Sequence, residues 1–362
     1  MNRCFFTSEA VCCGHPDKIC DKISDYILDS ALRIDKNSKM AVEATIKGNT
    51  IFIYGEANTK ANLDYEKLAK YVLKDIGYDE DFEVIVRVSN QSSEISSAVG
   101  DDEIKAGDQG IMFGYACIDT EEFMPLPITL ANKLVYKLDS LKGEYDFLNP
   151  DGKCQVTVEY IDDKVNRVDT IVMAVCHKDS VSLEEIRKFT IDKVIKEVVP
   201  CELMDKDTKI LINTSGSFIV GGPVADSGTT GRKIVSDTYG GMARVGGGCF
   251  SSKDPTKVDR SGAYYARYVA KNVVAHGMAD KCEIQVSYAI GLEDAISIYI
   301  DCYGTNKVSM ENIYNYVRDN FDFSVGNIIE ELNLKRPIYY DLSCYGHFGR
   351  WDLELTWEKI KE

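Results

Sequence analysis

Residues 221–260 read GGPVADSGTTGRKIVSDTYGGMARVGGGCFSSKDPTKVDR and contain nine of the chain's 27 glycines. They also contain six lysines or arginines but only four aspartates, so this stretch is positive in a chain of formal net charge −16. Glycine lets the backbone approach a ligand closely, and successive N–H groups can form a concave site for an anion. Aspartate is a residue type that holds Mg²⁺ beside phosphates. The stretch therefore predicts a polyphosphate site with a metal ion; a solvated glycine-rich loop with scattered ion pairs is the alternative.

The sequence lacks the usual nucleotide-binding and hydrolytic motifs. Residues 246–254, GGGCFSSKD, do not have the G-x-x-x-x-G-K-[ST] spacing of a P-loop, and no G-x-G-x-x-G opens a strand–loop–helix unit. Neither a G-x-S-x-G elbow nor an H-E-x-x-H zinc motif occurs. The phosphates would have to be held on another scaffold.

Composition limits the class of protein. At 362 residues, with 44% hydrophobic and 28% charged residues, the chain suits two or three ordinary globular domains. Its negative charge argues against nucleic acid or an anionic membrane as partner. Neither a transmembrane helix nor a signal peptide is expected, because the necessary apolar runs are missing. The 12 cysteines include no C-x-x-C pair, so we expect most to be small buried hydrophobes in the reducing cytoplasm.

Hydrophobic spacing predicts alternating helices and strands along the chain. Helices are expected over 17–34, 61–76, 125–139, 182–198, about 257–275 and about 309–320. Strands are expected over 41–47, 50–56, 83–88, 154–160, 168–175, 209–213, 282–288 and 295–301. Strand pairs joined by short turns imply antiparallel pairing, with helices covering one face of the sheet. We therefore predict an α+β fold of three related helix–strand–strand–helix units.

Two further segments show no regular period. Residues 90–107 are small and polar, and a loop of this length in a compact chain is more often functional than idle. Residues 337–358 are rich in aromatic side chains, and we expect them to pack back onto the fold as a C-terminal cover.

The polar residues favour charge stabilisation over proton transfer. Lysines, arginines and carboxylates dominate the candidate residues, whereas the whole chain has only four histidines. Chemistry with a phosphate leaving group suits this set, because positioning and charge neutralisation supply most of the catalysis.

Five segments of the chain carry distinctive motifs. They are FTSEAVCCGHPDKICDKISDYILD (6–29), GDQGIMFGYA (107–116), GGPVADSGTTGRKIVSDTYGG (221–241), GGGCFSSKDPTKVDRSGAYYARYVAKN (246–272) and YGHFGR (345–350). Their most specific motifs are GHPDK, GDQG and GGGxFSxKDPxKVDRS. With these segments the chain resembles, over nearly its whole length, the S-adenosylmethionine synthetase family, also called methionine adenosyltransferases.

The resemblance implies a fold and a reaction. The fold would be three repeats around a pseudo-threefold axis, with an N-terminal domain over 1–100, a central domain over 104–221 and a C-terminal domain over 222–354. The reaction would form S-adenosylmethionine from ATP and L-methionine by attack of the sulfur on ribose C5′, followed by splitting of the tripolyphosphate into phosphate and pyrophosphate. Two Mg²⁺ ions in each active site and K⁺ would serve as cofactors of this reaction. The active site would lie between subunits of a homodimer or a dimer of dimers.

The resemblance also assigns roles to individual residues. The catalytic groups would be His15, Lys153, Arg232 and Lys253. The ATP site would consist of His15, Asp151, Lys153, Ser217, Phe218, Asp226, Arg232, Lys233, Cys249 and Lys253. Methionine would contact Glu56, Gln91, Asp226 and Lys257, and the ribose or nucleotide would contact Asp108. The metal ligands would be Asp17 and Asp259 for Mg²⁺ and Glu43 for K⁺.

Each assignment has a purely structural alternative. His15 and Asp17 could serve the start of a helix, and Asp108 and Asp151 could be turn formers. Phe218 could be a core residue, and the remaining groups could be solvated charges on strands or surfaces.

The chain departs from the family pattern at several points. Ser217 stands where the family commonly has arginine, and Ala225 replaces a common glycine. Residues 92–106 form a shorter segment than the usual active-site lid, and the tail after Arg350 diverges. These changes concern substrate affinity and the lid rather than the reaction class.

The sequence is also compatible with two other functions. One is a different ATP- or polyphosphate-cleaving enzyme on the same scaffold. The other is a regulatory nucleotide-binding paralogue without adenosyl transfer, against which the presence of His15, Asp17, Lys153, Lys253 and Asp259 argues.

Overall fold

The computed structural model describes residues 2–90 and 104–362. Gln91 and most of the loop predicted over 90–107 therefore lie outside the described residues. The strands are β1 Arg3–Val11, β2 Lys39–Lys47, β3 Thr50–Asn58, β4 Glu83–Ser89, β5 Gly110–Cys117, β6 Leu148–Ile161, β7 Lys164–His177, β8 Lys209–Ile212, β9 Gly228–Thr229, β10 Lys281–Tyr288 and β11 Ser297–Asp301.

The longer helices are α1 Pro16–Leu32, α2 Tyr65–Ile76, α3 Leu126–Ser140, α4 Leu183–Thr190, α5 Val258–Ala275, α6 Met310–Asn320 and α7 Val325–Glu331. Helix α4 continues through a π-helical segment, Ile191–Ile195, into Lys196–Val198. Shorter helical segments are Cys201–Leu203, Gly222–Ala225, Ile234–Asp237, Tyr339–Leu342 and Thr356–Glu358. Every predicted helix and strand is thus present, which confirms the α+β class; β1, β5, β9, α7 and the shorter helical segments were not predicted.

The strands form three sheets, with orders β1-β6-β7-β8, β11-β10-β5 and β4-β3-β2-β9. The hairpins β2–β3, β6–β7 and β10–β11 are antiparallel, as predicted. Each sheet also takes a strand from a distant part of the chain: β1 pairs with β6, β5 with β10, and β9 with β2. The sheets therefore connect the three predicted sequence intervals, whose boundaries stay a prediction.

Helices α1 and α5 are the most deeply buried long helices among the described residues, with almost all of their residues inside the protein. Arg260 of α5 is wholly buried and binds Asp25 of α1 through two hydrogen bonds of 2.9 and 2.6 Å. Its guanidinium also lies 4.3 Å from the ring centroid of Tyr339. Arg260, one of the six cations of the glycine-rich stretch, is consequently a core residue and not a phosphate ligand.

The C-terminal segment packs back onto the fold, as predicted. Trp357 is fully buried and stacks on Tyr264 of α5 with a centroid separation of 4.3 Å. Glu358 accepts a hydrogen bond of 2.9 Å from Arg267 of the same helix.

All twelve cysteines are free thiols, and eight of them are buried, in agreement with the expectation from the sequence. Within the described part of the chain, none of the helices combines the length and apolarity that a membrane crossing requires.

Candidate active site

Helices α1 and α5 each present a carboxylate in their first turn, where unpaired backbone N–H groups favour negative charge. In α1 this residue is Asp17, and in α5 it is Asp259. These are the two predicted Mg²⁺ ligands. The Arg260–Asp25 pair joins the two helices, so the core of the protein fixes the positions of both carboxylates.

Asp17 is the centre of a first group of charges. Its side chain is only 2% exposed, and Lys233 binds its Oδ2 at 2.5 Å. The backbone N–H of Thr229 donates to Oδ1 at 3.0 Å, and Arg232 Nε lies 3.5 Å from the same oxygen. The segment that follows β9 is thereby held against the start of α1.

His15 forms the N-cap of α1, because its Nδ1 accepts a hydrogen bond of 3.2 Å from the backbone N–H of Asp17. An accepting Nδ1 leaves Nε2 as the nitrogen that carries the proton and can donate. Burial and the nearby Lys233 lower the pKa of His15 to about 4, with a further lowering from Lys153. Asp17 and Asp226 act in the opposite direction.

We define the Asp17 cluster as His15 and Asp17 together with the charged residues that act on either of them: Lys153, Asp226, Arg232 and Lys233. Lys153 lies in β6 opposite Val11 of β1, so the β1–β6 pairing brings it near the N-terminus of α1. Its side chain forms no ion pair with any residue of 2–90 or 104–362. The cluster thus brings together cations and carboxylates that are far apart in the sequence.

A second group of charges surrounds Asp259. Lys253 Nζ lies 2.5 Å from Asp259 Oδ2, and Arg260 holds the backbone carbonyl of Lys253 at 2.9 Å. Gly248 lies directly against the Asp259 carboxylate, since a Cβ at this position would be 2.2 Å from Asp259 Cγ. A glycine is required here because any side chain would displace the carboxylate.

Glu43 and Cys249 complete this Asp259 cluster, which we define as Glu43, Cys249, Lys253 and Asp259. Glu43 is half-buried in β2 and accepts a hydrogen bond of 3.3 Å from Tyr54. Burial raises the pKa of Cys249 to about 11; Lys253 lowers it, whereas Glu43 and Asp259 add to the increase. Cys249 is therefore a small neutral group near the charges.

The loops that carry the two clusters touch at Gly231 and Cys249. A Cβ at Gly231 would lie 2.5 Å from Cys249 Cβ, so the loops that carry Arg232 and Lys253 touch. Asp21 fixes this contact, because its Oδ1 accepts a hydrogen bond of 2.8 Å from Gly231 N.

Asp21 belongs to a buried network that we did not identify from the sequence. Lys18 Nζ lies 3.0 Å from Asp21 Oδ2 and 2.6 Å from Asp237 Oδ1. The network ties α1 to the segment after β9, so it positions Arg232 and Lys233. One signal was available: Asp21 follows Asp17 by four residues, which places the two carboxylates on the same face of a helix.

Other predicted site residues have partners of their own. Asp151 is buried, and its two oxygens accept hydrogen bonds from Gly152 N at 2.7 Å and Gly222 N at 2.8 Å. Asp108 Oδ1 accepts from Gln109 N at 2.7 Å. Asp151 therefore ties β6 to Gly222, and Asp108 lies in a bend just before β5; their contacts with nucleotide stay a prediction.

The predicted methionine and adenine contacts are spread more widely. Lys257 caps the start of α5 and donates to the buried Asp254 at 3.0 Å. Glu56 lies opposite Ala41 in the β2–β3 hairpin, and Ala41 also bridges to Lys253, so Glu56 lies near the Asp259 cluster. Phe218 is half-buried next to the exposed Ser217; its carbonyl accepts a hydrogen bond of 2.9 Å from His177 N, and its own N–H donates to His177 Nε2 at 3.4 Å.

The carboxylates suit a metal that substrate phosphates help to bind. No group of three or more histidine, cysteine, aspartate or glutamate side chains is arranged as a metal site among the described residues. Mg²⁺ at phosphate sites is commonly held by only one or two carboxylates together with phosphate oxygens. Asp17 and Asp259 each hold a lysine ammonium at 2.5 Å, so each site already accommodates a positive charge.

Comparison with known families gives three matches in consecutive order. Residues 3–100 match the N-terminal domain of S-adenosylmethionine synthetase, residues 103–218 match its central domain, and residues 220–359 match its C-terminal domain. Together the matches cover nearly the whole chain.

Proposed function

Since the chain belongs to the S-adenosylmethionine synthetase family, we propose that it is a methionine adenosyltransferase. The proposed reaction joins ATP and L-methionine to S-adenosylmethionine and splits the released tripolyphosphate into phosphate and pyrophosphate. The observation that carries this proposal is the convergence of His15, Arg232 and Lys233 around Asp17 in the Asp17 cluster.

The chemistry explains why such a cluster suits the reaction. The thioether sulfur of methionine has no proton to lose, so no general base is needed when it attacks ribose C5′. The barrier falls when the two substrates are oriented and the charge that develops on the leaving triphosphate is stabilised. Each well-placed donor contributes roughly 2.7–4 kcal/mol to such stabilisation.

Individual side chains then have distinct tasks. His15 would donate from Nε2 to the leaving oxygen, because Nδ1 is engaged by the backbone. Lys153, Arg232, Lys233 and Lys253 would bind the phosphate chain. When ATP binds, Lys233 and Lys253 would turn from their carboxylate partners, Asp17 and Asp259, towards phosphate oxygens.

Asp17 and Asp259 would then be free to hold two Mg²⁺ ions, whose positive charge would neutralise the triphosphate. Glu43 would hold K⁺. The methionine and ribose contacts proposed above, including Gln91 beyond the described residues, would complete the substrate site.

We also propose that the enzyme is a homodimer or a dimer of dimers with the active site between subunits. Exposed apolar side chains on two of the sheets support an interface there: Phe5 and Leu211 on the sheet of β1, and Ile111 and Tyr299 on the sheet of β10. In such a dimer, the Asp17 cluster of one subunit would face the Asp259 cluster of the other.

Complementation tests this arrangement. Lys233→Met disables the Asp17 cluster and Lys253→Met disables the Asp259 cluster. Heterodimers of the two variants should regain activity, because one of their two sites would then contain neither substitution. Heterodimers as inactive as both parents would contradict a shared site.

The activity itself is tested with the purified full-length chain, ATP and Mg²⁺, with and without methionine. We expect a sulfonium product, phosphate and pyrophosphate only when methionine is present. Release of ADP without methionine would favour another nucleotide-cleaving enzyme. The absence of a sulfonium product at saturating substrates would favour a regulatory paralogue.

A further inference from the structure

A cleft of about 640 Å³ opens where the ends of α2 and α3 meet the C-terminal segment. Two thiols from opposite ends of the chain line it: Cys13, just before α1, and Cys344. Cys13 is partly exposed, whereas Cys344 is buried. The cleft is separate from the Asp17 and Asp259 clusters, none of whose residues lines it.

Hydrogen bonds fix Cys13 in this cleft. Its backbone N–H donates to Asp139 Oδ2 at 2.9 Å, and its thiol donates to Tyr345 Oη at 3.0 Å. Tyr345 Oη in turn donates to Asp139 Oδ2 at 2.8 Å, which closes a ring of three bonds. The sulfur therefore has a defined position next to the C-terminal segment.

The environment makes the two thiols unequal. A hydrogen bond from the Cys344 thiol lowers the pKa of Cys13, and the Lys22 ammonium lowers it further, although burial and the Asp139 carboxylate oppose these effects. Burial and the bond to Cys13 raise the pKa of Cys344. Such a difference favours a nucleophilic thiolate beside a thiol that keeps its proton.

The buried ammonium of Lys22 is a second observation, independent of the two thiols, that points to negative charge in this cleft. Its side chain lines the cleft and is only 8% exposed, and its ammonium lies 3.8 Å from the ring centroid of Tyr340. Within residues 2–90 and 104–362, no carboxylate forms an ion pair with it. The ammonium is thus available to stabilise negative charge on sulfur.

We propose that Cys13 and Cys344 form an oxidation site, at which a hydroperoxide converts the two thiols into an intramolecular disulfide. The Cys13 thiolate attacks the terminal peroxide oxygen, the O–O bond breaks, and the other oxygen leaves after protonation, as an alcohol from an organic hydroperoxide or as water from hydrogen peroxide. The resulting Cys13 sulfenic acid is attacked by the Cys344 sulfur, the S–O bond breaks, and water leaves with the thiol proton. Two thiols are oxidised and one hydroperoxide is reduced.

The position of Cys13 connects this site to the proposed active site. Gly14 follows Cys13 and packs closely against Pro150, since a Cβ at Gly14 would lie 2.3 Å from the carbonyl oxygen of Pro150. His15 comes next, so movement of Cys13 from Tyr345 towards Cys344 shifts the N-cap of α1. Oxidation should therefore lower adenosyl transfer reversibly, a consequence that rests on the proposed function.

The test uses the full-length wild-type protein, treated with hydrogen peroxide, alkylated and digested. Mass spectrometry should show a peptide that links Cys13 to Cys344 and disappears after reduction with dithiothreitol. In Cys344→Ser, dimedone should trap a sulfenic acid on Cys13. Cys201→Ser, which removes an exposed thiol elsewhere, is the control and should leave the link unchanged.

If Cys13 stays reduced while the exposed Cys4 and Cys201 are oxidised, the proposed oxidation site is refuted. A link that forms without loss of activity would overturn the coupling to His15. The peptide readout does not depend on catalysis, so it separates failure of this proposal from failure of the proposed function.

Discussion

Replacing Lys253 by methionine tests the role of a single phosphate-binding cation. Lys253 Nζ binds Asp259 at 2.5 Å, and the lysine side chain is 18% exposed, so the ammonium has a defined position at the edge of the site. Methionine keeps the length of the side chain and removes its charge. Loss of one donor to the leaving group should lower kcat by about 10²–10³-fold, which corresponds to about 2.7–4 kcal/mol.

The fold should survive this change. The backbone carbonyl of Lys253 accepts a hydrogen bond of 2.9 Å from Arg260, and this bond does not involve the lysine side chain. A partly exposed ion pair contributes only about 0–1 kcal/mol to stability. A large loss of activity with an almost unchanged urea midpoint would therefore be a catalytic effect.

The assay is steady-state formation of S-adenosylmethionine at saturating ATP, methionine and Mg²⁺. The fall should appear in kcat, because the interaction strengthens as charge develops on the leaving group. Lys196→Met is the control, since it removes an exposed lysine that pairs with Asp192 away from both clusters. Equal kcat for Lys253→Met and Lys196→Met would remove Lys253 from the mechanism.

Three further changes test other parts of the site. Asp259→Asn should raise the Mg²⁺ concentration needed for half-maximal activity, because a proposed ligand loses its charge; an unchanged metal titration would contradict that role. Gly248→Ala should displace the Asp259 carboxylate and lower kcat without unfolding the protein, whereas Gly143→Ala, in open space, should have no effect; equal activities would contradict the close contact. Arg260→Met should destabilise the protein by about 3–5 kcal/mol in urea unfolding, because Asp25 is left as an unpaired buried charge; a loss below about 1 kcal/mol would show that Asp25 is relieved in another way.

The local structure was largely predictable from sequence because hydrophobic periodicity and helix-start signals agree. Ile19, Ile23 and Ile27 recur at helical spacing and are all fully buried in α1. Pro16, a residue type favoured at the first helical position, is its first residue, one position before the predicted start. The end of the helix was predicted two residues too late: α1 stops at Leu32, and Ile34 is exposed although it continues the apolar spacing. The spacing of apolar residues alone does not show at which residue a helix stops packing against the core.

Long-range pairing was beyond the sequence. The partnership of β1 with β6 joins residues about 150 positions apart, and no local signal specifies it. Arg260 shows the same limit, because its charge suggested a phosphate ligand while its actual partner, Asp25, lies on another helix. The role of Asp21 was also missed, because its acceptor function depends on where Gly231 is placed by the fold.

The sequence was more informative about the candidate site than about such pairings. The motifs indicated His15, Asp17, Lys153, Arg232 and Lys233, and the fold gathers these residues into one cluster. What each of them binds stays a prediction, because a cation beside a carboxylate is compatible with a structural ion pair as well as with a phosphate site.

The most direct test of the central claim is a crystal structure with a non-hydrolysable ATP analogue, methionine and Mg²⁺. We predict that the ammonium groups of Lys153, Lys233 and Lys253 lie about 3 Å from triphosphate oxygens, with the carboxylates of Asp17 and Asp259 on the metal ions. A triphosphate bound elsewhere, with these lysines still on their carboxylates or in solvent, would contradict the account.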